Sequence, residues 1–164
     1  MRTAALRFQT DTVAKNKFGD TPLYLAIKYT THASFGCSAH IINMFRALVQ
    51  APGVDVNEPP YNVAIAVSKA SVEVLQFLLQ HGGNANSSFD PHAKYGGEPA
   101  LFKAIRMNSL TKCRLLVENG ADLNAVFEGI TPLEYAMLKH VAPDIIELLY
   151  RHAPVPVDVT SLVS

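Results

Sequence analysis

The stretch Glu118–Met137, ENGADLNAVFEGITPLEYAM, stops one helix and starts another. Gly120 follows the apolar run CRLLVEN at the point where a left-handed residue commonly ends a helix. The Asn-containing segment after it is a turn former. Thr131 then offers a hydroxyl cap, and Pro132 sits at a first helical position, where its missing N–H costs nothing.

The same order of signals recurs along the chain. Restarts stand at Thr21 (TPLYLAIKY), Tyr61 (YNVAIAVSK), Pro99 (PALFKAIRM) and Thr131 (TPLEYAMLK). Each precedes a second apolar stretch, containing in turn MFRALVQ, VLQFLLQH, CRLLVENG and IIELLYRH. The two most regular units, Tyr61–Asn86 and Pro99–Asn124, are equal in length and close on HGGNAN and NGADLN. A spacing of this order, with two helices per unit, marks a stacked repeat, whose period is about 33 residues. Insertions account for the longer intervals.

The phrasing resembles the ankyrin repeat family, whose units read TPLHLA, a leucine-rich helix, then GADVN. The resemblance covers roughly Asp11–Val157 and implies an all-α fold, an ankyrin-repeat solenoid of about four helix-turn-helix units joined by hairpin-like loops. One domain over 1–164 is expected: 1–20 as an N-terminal cap or partial repeat, 21–57 as repeat 1 with an inserted loop, 58–86 as repeat 2, 87–124 as a long loop and repeat 3, 125–157 as repeat 4, and 158–164 as a tail. Terminal units need a covering to remain soluble.

The residues support this on physical grounds. Ala26, Ala66, Ala104 and Ala136 fall at one position of the first helices, where a short side chain lets the next unit approach. Leu23, Val63, Leu101 and Leu133 supply the apolar position that Leu48, Leu78, Leu116 and Leu149 of the second helices should meet.

Departures from the family phrase are informative. Unit 1, Thr21–Asn57, is longer than its neighbours, with its surplus in YTTHASFGCSAH, expected as an extended loop, and its exit turn is cut back to EPP. SSFDPHAKYGGE separates Asn86 from Pro99, a long exposed loop by its Pro and Gly content. The histidine of TPLH is replaced by Tyr24, Ala64, Phe102 and Glu134, which removes the hydrogen bonds that this histidine implies.

Composition narrows the function classes. The 164-residue chain is 49% hydrophobic and 17% charged, with Lys+Arg and Asp+Glu both at 14. A core is expected, and no overall field draws the chain to nucleic acid or an anionic membrane. No run of about 18 apolar residues offers a membrane span. Two cysteines, Cys37 and Cys113, are too few for a disulfide framework, so a reducing, intracellular setting is expected, cytoplasmic or nuclear.

Catalytic patterns are weak. HASFGCSAH gathers His32, Cys37 and His40 in one short segment but lacks the fourth ligand of a closed zinc site. Ser38 beside His40 has no orienting acid, Glu128 and Glu134 would face an open surface rather than a cleft, and no phosphate-binding glycine motif occurs. Neither enzyme activity nor a cofactor is expected; an independent hydrolase or metal enzyme is the most distant alternative.

A protein-binding role follows from the resemblance, because first helices and projecting turns form the usual ankyrin contact surface. The two slots after each first-helix core hold Lys28 and Tyr29, Ser68 and Lys69, Arg106 and Met107, and Leu138 and Lys139. One positive charge per unit is thereby expected. Turn residues Lys17, Phe18, Phe89, Tyr95, Phe127, Glu128 and Ile130 extend the candidate surface. The expected partner is a protein, with an acidic segment bearing apolar anchors, bound by a monomeric adaptor. The runner-up is a targeting module of a larger catalytic assembly, such as the substrate receptor of a ubiquitin ligase.

Overall fold

A computed structural model of the chain describes residues 13–30, 38–89 and 97–153. Among the described residues, eight helices follow one another in pairs: α1 (Pro22–Tyr29) with α2 (Ser38–Val49), α3 (Asn62–Lys69) with α4 (Val72–Gln80), α5 (Ala100–Arg106) with α6 (Leu110–Glu118), and α7 (Pro132–Leu138) with α8 (Pro143–His152). The first helices stack in the order α1, α3, α5, α7, and the second helices stack alongside as α2, α4, α6, α8. This is the four-unit solenoid of paired helices that the resemblance implies.

Local signals start and stop the helices as the sequence indicates. The Thr21 hydroxyl accepts the Tyr24 amide, and Thr131 with Glu134 forms a reciprocal capping box. Gly82 and Gly120 lie at φ of 86° and 84°, and beyond them Gly83 N–H reaches Leu78 O and Ala121 N–H reaches Leu116 O. These are the paired closures of a left-handed helix stop.

Helix α3 departs from that pattern. It has no side-chain cap of its own. Ser87, in the turn leading to the next unit, accepts the Ala64 amide at 2.9 Å and supplies the missing acceptor. Asn62 stands where units 1 and 4 carry proline, and its amide nitrogen donates to the carbonyls of Val56 and Glu58.

The core runs the length of the stack. Leu23, Val63, Leu101 and Leu133 are buried, as are Leu78, Leu116 and Leu149, each such burial being worth about 1.5–3 kcal/mol. Ala66, Ala104 and Ala136 are wholly covered, whereas Ala26 is half-buried. Two sequence expectations are corrected in unit 1. Phe45 is the fully buried residue of α2, while Leu48 is only half-buried. Helix α2 also starts at Ser38, so Ser38, Ala39 and His40 belong to the helix and not to the inserted loop; residues 31–37 lie outside the described segments.

Adjacent units are stitched by two devices. Asn57 of unit 1 donates to Gly82 O and accepts the Asn84 amide of unit 2, and Asn86 of unit 2 repeats this with Gly120 O and the Asp122 amide of unit 3. Where the family histidine is absent, aromatic contacts bridge instead: Tyr24 meets Tyr61 edge-on at 5.5 Å, and Phe102 meets Tyr135 at 5.3 Å.

Candidate functional site

The eight slot residues lie at the C-terminal ends of the first helices, and the stacking of those helices sets them in a row. At its start, Tyr29 is 71% exposed and the Lys28 ammonium lies 5.3 Å from the Tyr24 ring and 5.6 Å from that of Tyr29. Tyr24, and after it Tyr29, holds the Lys28 ammonium above its ordinary pKa. Phe18, 75% exposed, projects from the preceding turn with the Lys17 ammonium 5.0 Å from its ring centre. Lys69 is exposed on α3.

Unit 3 supplies its expected positive charge in Arg106, but as a paired one. Arg106 is held in a two-pronged pair with Glu98, both hydrogen bonds at 2.8 Å, and Lys103 reaches the same carboxylate at 3.6 Å. The guanidinium is raised further above its usual pKa by that hydrogen bonding. The pair arises because Glu98 is pinned in the turn: Phe89 N–H donates to Glu98 O, beside the Ser88–Pro99 bridge. Sequence reasoning passes over Glu98, since its separation from Arg106 is no helical neighbour spacing.

The other turn residues divide. Phe89 is partly exposed with the Lys103 ammonium 5.7 Å away, and Tyr95 lies outside the described residues. Phe127 and Ile130 pair across a two-residue hairpin turn whose central residues, Glu128 and Gly129, have φ of 53° and 85°. Both pack against the core, Phe127 with its ring 5.4 Å from Phe102. They therefore brace the stack and are not exposed tips. Glu128 remains exposed, as do Met107, Leu138 and Lys139, the last above the Tyr135 ring at 5.4 Å.

Other chemistry is limited. Burial pushes the Cys113 thiol up to about 12, which makes it a core residue without nucleophilic character. Among the described residues, no group of three His, Cys, Asp or Glu could hold a metal ion, and no helix is long and apolar enough to cross a membrane. A cleft of about 360 Å³ opens between Ala85, Leu101, Phe102 and Ala125, with Asn86 and Asp122 at its polar side.

Comparison with known proteins gives consistent results. A family model described as ankyrin repeats (3 copies) matches residues 33–127 and 63–161. The mouse B-cell lymphoma 3 protein homolog is 29% identical over 112 residues, 68% of this chain and 22% of that protein. A putative ankyrin repeat protein of fowlpox virus, FPV022, is 28% identical over 96 residues, 56% of this chain and 15% of the viral protein. The chain thus spans less than a quarter of the length of either relative.

Proposed function

Since this chain belongs to the ankyrin repeat family, a family usually non-catalytic and generally used for protein interaction, we propose that it is a non-catalytic adaptor binding a protein segment along the first-helix row. The observation that carries this reading is the row itself: Tyr29, Lys69, Met107, Leu138 and Lys139 stand exposed on a stack of helices packed around one continuous core cluster. Large side chains held outward on a fixed scaffold form a contact surface at small entropic cost. Aromatic and thioether groups beside cations suit a partner with carboxylates and apolar anchors.

Crosslinking mass spectrometry in native lysate would identify the partner, whose affinity is then measured in purified form. The Tyr29→Ala/Met107→Ala double variant should bind at least about tenfold more weakly. Unchanged affinity would remove the assignment of this surface.

A further inference from the structure

The row of slots is electrically divided. Over residues 13–29 and 58–69, which make the turns and first helices of units 1 and 2, four lysines (Lys15, Lys17, Lys28, Lys69) face Asp20 and Glu58, a formal net charge of +2. Over 97–107 and 125–139 of units 3 and 4, Lys103, Arg106 and Lys139 are matched by Glu98, Glu128 and Glu134, a net charge of zero. Asp90 and Lys94 of the intervening sequence cancel in formal charge.

Pairing sharpens the division. In the described residues of units 1 and 2, Glu58 pairs with Lys15, which leaves Lys17, Lys28 and Lys69 directed to solvent or to aromatic faces. An ammonium seated on a ring keeps donors for an incoming carboxylate, while the ring packs the carboxylate's own methylenes. In units 3 and 4, Glu98 engages both Arg106 and Lys103, and Glu134 is engaged by Thr131. Beside the exposed Glu128 and Lys139, that half offers outward the apolar side chains of Met107 and Leu138, 41% and 58% exposed.

We propose that this surface recognises a protein segment of divided character, carboxylate-rich over Lys17, Lys28 and Lys69 and apolar over Met107 and Leu138, with Glu98 setting the boundary by occupying Arg106 and Lys103. The inference rests on the protein-binding reading above and adds the chemistry of the ligand and a specificity residue. Three helix-to-helix steps of about 8–10 Å place the outer slots about 24–30 Å apart, a distance covered by about 7–9 extended residues. A nucleic-acid strand fits less well. Its charge repeats at every phosphate and would fall on the half that carries Glu98, Glu128 and Glu134.

The test is fluorescence anisotropy of the full chain with labelled synthetic peptides of about ten residues. One places its glutamates in one half and its leucines and methionines in the other; a second alternates the same residues; a third replaces glutamate by lysine. The divided peptide should bind about tenfold tighter than the alternating one, and Lys28→Glu/Lys69→Glu should remove about tenfold of that affinity. Glu98→Gln, which keeps the shape and frees Arg106 and Lys103, should narrow the preference by strengthening the alternating peptide. Equal binding of the two acidic peptides, or a preference untouched by Glu98→Gln, overturns the proposal. If the equal binding is nevertheless lost in Tyr29→Ala/Met107→Ala, the protein-binding surface stands while its division falls. Binding of no peptide overturns the proposed division, and tighter binding of a single-stranded oligonucleotide assigns the cations to phosphate.

Discussion

Lys112 of unit 3 donates its ammonium to the carbonyl of Val67 in unit 2 at 2.6 Å, and to that of Ala70 at 3.2 Å. A lysine thus closes the C-terminal end of α3 from the neighbouring second helix, where carbonyls lack intrahelical donors and favour positive charge. It does so from a core site. Lys112 stands three residues after the N-cap of α6, as Val74 and Ile145 do in α4 and α8, and it is almost fully buried.

Lys112→Met should therefore lower stability by about 1–2 kcal/mol through two carbonyls left without a donor. Lys112→Ala should lower it by about 2–4 kcal/mol, because a cavity is added. Burial depresses the Lys112 pKa below its ordinary 10.5. Within that window the unfolded chain binds more protons, so wild-type stability should rise relative to Lys112→Met as pH climbs toward 10.5. Urea unfolding at pH 7 and pH 10 measures both effects. A pH-independent difference would contradict the burial.

Asn86 joins units 2 and 3 through Gly120 O at 3.0 Å and the Asp122 amide at 2.7 Å. Asn86→Ala removes both bonds and should cost about 1–2 kcal/mol. Asn57→Ala, at the separate junction of units 1 and 2, should act similarly and add to it within about 0.5 kcal/mol. Chemical denaturation of the two single variants and the double variant checks the sum.

Gly83 and Ala121 occupy the same step of the helix stop, and the family phrase GAD invites alanine at both. The backbone at Gly83 is closed to it: a Cβ there would lie 2.8 Å from Leu78 O and 2.8 Å from the Val63 side chain. Gly83→Ala should destabilise by about 1–3 kcal/mol. A neutral or stabilising result in thermal unfolding would show that this close approach relaxes freely.

The carboxylate of Glu134 accepts the Thr131 backbone amide at 2.6 Å and its hydroxyl at 2.7 Å, and these hydrogen bonds, the backbone one foremost, hold its pKa below the ordinary 4.5. The folded state therefore binds fewer protons than the unfolded chain as pH falls. The stabilisation is complete above about 4.5 and is lost as pH drops through the folded-state value. Thr131→Ala should cost about 1 kcal/mol at neutral pH. The Glu134→Ala variant should lose less stability than the wild type between pH 5 and pH 3, as followed by circular dichroism.

Much of the architecture was legible in the chain. Four restarts, the TP signals at Thr21 and Thr131 and the stops at Gly82 and Gly120 act through local backbone geometry, so each unit declares its own helices. The apolar positions of Leu23, Val63, Leu101 and Leu133 follow from period alone. The binding row was less legible. The slots were readable by counting along each first helix, but their exposure and charge were not, because a side chain's fate depends on what the next unit sets opposite it.

By itself the sequence determined the repeat, the helix boundaries near each cap and stop, and the order of the slots, since these are properties of contiguous residues. Only the tertiary structure decided that Glu98 takes Arg106 out of the row, that Phe127 and Ile130 turn inward, that Ser87 caps α3, and that Lys112 lies buried on the Val67 carbonyl. Each of these joins a turn or helix to side chains or carbonyls that lie outside its own local pattern. Stacking creates such contacts, and a periodicity that describes one unit at a time holds no record of them.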